Sequence, residues 1–210
     1  AVIASPEWIN ESGRAFPVTI DPTVTIPNTG IKSTLFSQRN PDTNYGNLGE
    51  GEIDGTDFGL FKFDLPYFPE VVTINSAKLY VYMEYSPTLD SNPAEIGTYY
   101  IYEEWEPETV TARSLFAKSS DAIWDYETTT TVLQPFLNPQ PAEFNILPFV
   151  ESWMRGSCNN NGVAVRYINY PTYVPSVKCY TYFSNTSTSL KPYVEFNYLG
   201  YLASGVYSFS

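Results

Sequence analysis

From residue 74 to 85 the chain alternates with a period of two. Ala77, Leu79, Val81 and Met83 fall on one face, and Lys78, Tyr80, Tyr82 and Glu84 on the other. Only extended backbone sends successive side chains to opposite sides, and a strand with one apolar row must bury that row against a second layer. The rest of the chain supports the same geometry. Residues 60–65 read as a strand stopped by Pro66 and Pro69, and further strands are expected at 31–36, 98–104, 163–168, 177–183 and 191–198. Thr128 to Thr131 suit an edge strand, while 41–57, with Gly46, Gly49, Gly51 and Gly55, reads as a long polar loop. With 17 prolines, 18 tyrosines and 13 phenylalanines, the composition favours short strands and turns over helices.

One helix is expected, at 148–155. Phe149, Val150, Trp153 and Met154 form a single stripe there, and Gly156 is a natural stop. The fold class predicted is therefore all-β, a β-sandwich of jelly-roll type with one short helix. The domain is expected over 28–198, after an extended, proline-punctuated lead-in at 1–27 and before a tail at 199–210.

Several kinds of chemistry are excluded. The chain has no histidine, which removes Ser-His-Asp and Cys-His catalysis and the commonest zinc ligand. No glycine-rich phosphate-binding motif occurs. A net charge of −12 repels nucleic acid and acidic membrane surfaces, and no apolar run reaches the ~20 residues of a membrane-spanning helix. Residues 1–8 lack the basic and apolar regions of a signal peptide, so the chain is expected to be a mature product or an excerpt of a longer polypeptide.

What remains is binding. Carboxylates cluster at Glu103, Glu104, Glu106 and Glu108, but in so acidic a chain a solvated loop accounts for them better than glycoside hydrolysis does. No cofactor is expected, with structural calcium as the one addition to consider; Asp54 and Asp57, either side of Gly55, are its candidate ligands. Tyrosines crowd 165–183. Tyr167, Tyr170 and Tyr173, with Arg166 and Trp124, are the candidate ligand-binding residues, because flat rings stack on the apolar faces of sugars. Tyr180 and Tyr182 belong to the same dense stretch, and core packing is the competing account of any one of these rings. Cys158 and Cys179 are a disulfide candidate that would close a loop of ~20 residues, worth about 3 kcal/mol in the chain-entropy model. Two buried free thiols are the other reading of that pair.

Six local patterns, in order, resemble the DNRLRE domain, which overlaps the family-96 carbohydrate-binding modules. They are the Pro41-Asp42-Thr43-Asn44-Tyr45-Gly46 turn, the Leu60-Phe61-Lys62-Phe63-Asp64-Leu65 strand, and Ile74-Asn75-Ser76-Ala77-Lys78-Leu79. Trp105-Glu106-Pro107-Glu108-Thr109-Val110-Thr111 follows, then Phe144 to Val150 with Trp153, Gly156, Asn161 and Gly162, and finally Lys191-Pro192-Tyr193-Val194-Glu195. Two positions depart from the pattern: Phe58 stands where the family has arginine, and Ala112 where it commonly has tryptophan. The lead-in around Trp8, Arg14 and Pro17 to Pro22 is similar to the run before such domains in large secreted bacterial proteins with RHS/YD repeats. The resemblance implies a secreted or cell-surface module that is not an enzyme. Its partners would be a polysaccharide or cell-wall glycan and the neighbouring domains of its own polypeptide, with no nucleic acid and no membrane insertion. A spacer or docking module without a glycan ligand is the alternative. The acidity of this chain disfavours an acidic, alginate-like ligand unless Arg166 and Lys178 make a basic patch, and a neutral glycan fits better.

Overall fold

The computed structural model describes residues 18–20, 23–68, 72–86, 93–119, 122–123, 128–168 and 178–202. Two antiparallel sheets pack face to face. The first, seven-stranded, is organised by β6 (Val72–Ser86), which pairs along one edge with β9 (Phe136–Asn145). Its other edge is shared end to end by β12 (Tyr193–Leu202) and β11 (Lys178–Tyr182). Beyond these lie β1 (Val18–Ile20) and β2 (Thr23–Ile26) on β12, and β4 (Glu50–Glu52) on β11. The second sheet has five strands in the order β3 (Ile31–Ser37), β5 (Asp57–Phe63), β10 (Val163–Tyr167), β7 (Ala94–Tyr100) and β8 (Thr129–Leu133). From β3 to β7 each successive strand lies in the other sheet, the winding of a jelly-roll sandwich.

The alternation in β6 is realised as the spacing requires. Ala77, Leu79, Val81 and Met83 are fully buried between the sheets, and Tyr85 nearly so. Facing them are Phe61 and Phe63 of β5 and Val163, Val165 and Tyr167 of β10. Phe61 and Phe183 stack, and Phe63 meets Trp153 and Phe196 edge-on. These rings fill the width between the layers and give each other the offset geometry that aromatic pairs prefer.

Helix α1 (Ala112–Lys118) occupies a stretch whose sequence shows no helical period. It forms because Thr111 and Ser114 make a reciprocal capping box: Ser114 N donates to Thr111 Oγ1 at 3.0 Å and Thr111 N to Ser114 Oγ at 2.9 Å. Ala112 and Leu115 then bury in a second core on the outer side of the five-stranded sheet, with Phe36, Phe58, Leu60, Tyr99, Ile101, Trp105 and Ala164. Helix α2 (Leu147–Met154) forms where expected, with Phe149, Val150 and Trp153 buried, but Met154, expected in the same stripe, is exposed. It ends in a Schellman motif: Gly156 N donates to Trp153 O and Ser157 N to Ser152 O, with Gly156 at φ +69°.

Three further features differ from the sequence reading. Strand β9 contains Pro139 and Pro141, which break a strand pattern; it is an edge strand, where a missing N–H is tolerated. The lead-in is part of the sandwich, since residues 18–20 and 23–26 both pair with β12, which itself runs on to Leu202. The third is a correction: Cys158 and Cys179 are both free thiols and are not near each other. Cys158 follows α2, its Sγ 3.3 Å from Ser152 Oγ, whereas Cys179 lies inside the sandwich on β11, paired in register with Tyr85. Their closeness in sequence misleads because the intervening segment returns the chain to the opposite sheet. Burial pushes the Cys179 thiol well above its ordinary range.

Two outcomes follow. Gly162 sits at φ +83° with Phe61 O 2.1 Å from where a Cβ would stand, while Gly156 has open space around it. Gly162→Ala is expected to cost about 3 kcal/mol or more in urea unfolding, and Gly156→Ala only about 1 kcal/mol; equal losses would contradict this packing. An aromatic disulfide reagent should titrate Cys158 alone in the native protein and both thiols after denaturation, and reduction should leave the melting midpoint where it was.

Candidate functional site

Along β6 every inward residue from Ala77 to Tyr85 is buried, while Lys78, Tyr80, Tyr82 and Glu84 are half-buried on the outside. Cross-strand register decides what joins them. Tyr80 lies between Glu143 of β9 and Tyr193 of β12. Tyr82 is opposite Pro141. Tyr180 of β11 lies between Glu84 and Glu52, and Tyr182 opposite Glu50 of β4. Lys78 is flanked by Glu195 and Asn145. Tyrosines 80, 82, 180, 182 and 193 therefore share one face of the seven-stranded sheet, and neither hydrophobic core lies on that face.

The rings are ordered by one another. Tyr80 and Tyr193 stack with centroids 4.6 Å apart and planes 11° from parallel. Tyr80 Oη donates to Glu143 Oε2 at 3.1 Å, and Lys78 Nζ pairs with Glu143 Oε1 at 2.8 Å. Partial burial, reinforced by the neighbouring carboxylates, raises the phenol pKa of Tyr80, Tyr182 and Tyr193; Glu143 and Glu195 act on Tyr80 and Tyr193, and Glu50 and Glu84 on Tyr182. All three stay neutral hydroxyls, able to donate and accept. The arrangement is a tyrosine-rich surface interspersed with acceptors; Tyr80 and Tyr193 turn one face to each other, and the hydroxyls can donate to or accept from a ligand.

The residues singled out in the sequence go elsewhere. Tyr167 is 2% exposed, on the inner side of β10, its hydroxyl 3.0 Å from that of Tyr85. Arg166 points to the outer side of the other sheet, its guanidinium 5.2 Å from the Phe58 ring and 5.0 Å from the Tyr99 ring, with Nη2 donating to Tyr99 Oη at 3.3 Å. Trp124, Tyr170 and Tyr173 lie outside the described residues, as does the side chain of Lys178. Asp54 and Asp57 do come together, around Arg39, whose guanidinium pairs with Asp54 and stands 3.6 Å from Asp57 Oδ2. Asp54 Oδ1 also accepts from Thr56 N, Thr56 Oγ1 and Asp57 N. Of these two carboxylates only Asp57 Oδ1 is left without a donor, far short of the about six to eight oxygens that calcium takes. Among the described residues no group of three acidic or thiol ligands forms a metal cluster.

The patterns that carry the family resemblance turn out to be structural locks. Asn44 Nδ2 donates to Pro107 O at 2.7 Å and Val110 O at 2.8 Å, tying the early turn to the Trp105–Thr111 stretch. Gly46 has no room for a Cβ, which would meet Pro107 O at 2.1 Å. Trp105 Nε1 donates to Asn161 O at 2.8 Å, and Asn161 Nδ2 to Tyr102 O at 2.7 Å. Glu106, within the acidic cluster, is held by Lys32 at 2.5 Å and Lys62 at 3.7 Å, which lowers its pKa. No family model matches the chain, and no curated protein matches it.

Because the folded phenol values are raised, the neutral hydroxyls stabilise the fold fully below the ordinary tyrosine pKa of about 10, and that contribution is lost as pH rises through the higher values. Phenolate absorbance should therefore appear later in the native protein than in the same protein in denaturant. Coincident titration curves would mean that this face is fully solvated.

Proposed function

We propose that the chain is a non-catalytic carbohydrate-binding or adhesion module of a larger secreted bacterial protein, and that glycan docks on the tyrosine face of the seven-stranded sheet. The observation that carries this reading is the convergence of Tyr80, Tyr82, Tyr180, Tyr182 and Tyr193 from three strands onto one outward surface. Sheet-borne rings are held by backbone pairing on both sides, so they meet a ligand already ordered and little rotamer entropy is lost on binding. A binding role is supported over catalysis by the absence of histidine and by the engagement of Glu106 with two lysines. The order of DNRLRE-like patterns supports the extracellular setting; the thiols, being free, lend it nothing.

A purely structural role, as a spacer or docking unit beside neighbouring domains, is favoured by one specific observation. Tyr167 and, among the family-like motif residues, Asn44 and Trp105 are spent on internal packing and hydrogen bonds.

A glycan array probed with the whole chain separates the two readings. Binding to at least one polysaccharide is expected, with Tyr80→Ala and Tyr182→Ala each weakening it by about tenfold or more, equivalent to ~1.4 kcal/mol, in variants that circular dichroism shows to be folded. A blank array, or binding indifferent to both changes, would leave the structural role standing.

A further inference from the structure

We infer that the ligand of this face is a cationic amino-sugar polymer, one bearing free amines along its length; this rests on the glycan-binding reading above. Charge and aromatic positions on the sheet alternate rather than segregate. Glu143 closes the Tyr80–Tyr193 row, Glu84 and Glu50 stand opposite Tyr180 and Tyr182, and Glu195 lies opposite Lys78 one row on from Tyr193. Among the described residues at outward positions of these strands the cations are Lys78, already paired with Glu143 at 2.8 Å, and Lys178 at the start of β11, so the carboxylates outnumber the lysines. The neutral tyrosine hydroxyls add no charge.

This distribution sorts the candidate glycans. A polyuronate would lay carboxylates over carboxylates. A neutral glycan could contact the rings, but in covering Glu195, Glu84 and Glu50 it would strip water from ionised groups and return no opposite charge, which disfavours it. A sugar carrying an ammonium meets both requirements in one repeat: its apolar ring face stacks on a tyrosine, and its amine reaches the carboxylate on the neighbouring strand, about 5 Å away. The rings specify a flat sugar, and the carboxylates specify its charge.

The test compares two soluble oligosaccharides of equal length and linkage, a fully de-N-acetylated chito-oligosaccharide and its fully N-acetylated counterpart, titrated calorimetrically into the whole chain. The free-amine form should bind about tenfold or more tightly at low salt, with the gap shrinking at high salt. Glu84→Gln combined with Glu195→Gln should erase most of the preference, and Tyr82→Ala should weaken both sugars. Circular dichroism melts confirm that the variants fold. Equal affinity for the two sugars overturns the charge inference and leaves glycan binding intact. Binding of neither, with a blank array, overturns both. Oligolysine bound as tightly and unaffected by Tyr82→Ala would show the face to be a docking site for basic protein and overturn the sugar as occupant.

Discussion

The long strand β6 has to satisfy two solvents at once. Its inward row, from Ala77 to Tyr85, is removed from water by the opposing sheet, and its outward row meets solvent with tyrosines, a lysine and a glutamate. Because side chains alternate strictly, neither row can change without the other: a one-residue slip in register would place Tyr80 and Tyr82 in the core and Leu79 and Val81 outside. β6 is also the strand against which β9, β11 and β12 all pair, so its register determines which of their residues share its outer surface. The hydrophobic requirement of the interior thus assembles the candidate binding face on the exterior.

The two sheets solve the problem of their outer faces differently. The five-stranded sheet is covered, with Leu60, Phe58, Tyr99 and Ala164 buried beneath α1 and the Trp105 segment in a second core. Asn44, Gly46, Trp105 and Asn161 hold that cover by hydrogen bonds and close backbone approach. Phe58, where the family pattern has an arginine, packs edge-on against Phe36 and Tyr99 and is an apolar part of this second core, with the Arg166 guanidinium over it. Among the described residues the seven-stranded sheet has no such core on its outside, and Tyr80 there is flanked by Tyr193 and Glu143. Among the described residues one face is covered and the other is not, and the proposed binding role rests on that difference.

The tyrosines illustrate how far local reading reaches. The density of tyrosine across 165–183 is visible in the chain, yet Tyr167 and Tyr180 from that stretch end on opposite sides of the sandwich wall. Tyr167 belongs to a strand facing the interior, where it bonds Tyr85; Tyr180 occupies the outward parity of β11. Tyr193, which belongs to the closing family-like pattern, gains significance only because β12 sets it against Tyr80. Asp54 and Asp57 stand close in the sequence, but the guanidinium of Arg39, which pairs with both, comes from a turn fifteen residues earlier in the chain than Asp54.

By itself the sequence determined the class of fold, the register-defining strand, helix α2 and the exclusion of histidine chemistry, because each depends on periodicity or composition carried within a few residues. Tertiary structure alone decided that Ala112 and Leu115 of α1 bury in a second core, that proline-bearing β9 is an edge strand, that the cysteines stay apart and that tyrosines from three strands converge on one surface. These outcomes turn on pairings between residues distant in the chain. Local propensity does not encode which strand lies beside which, and it is that adjacency that places one side chain next to another.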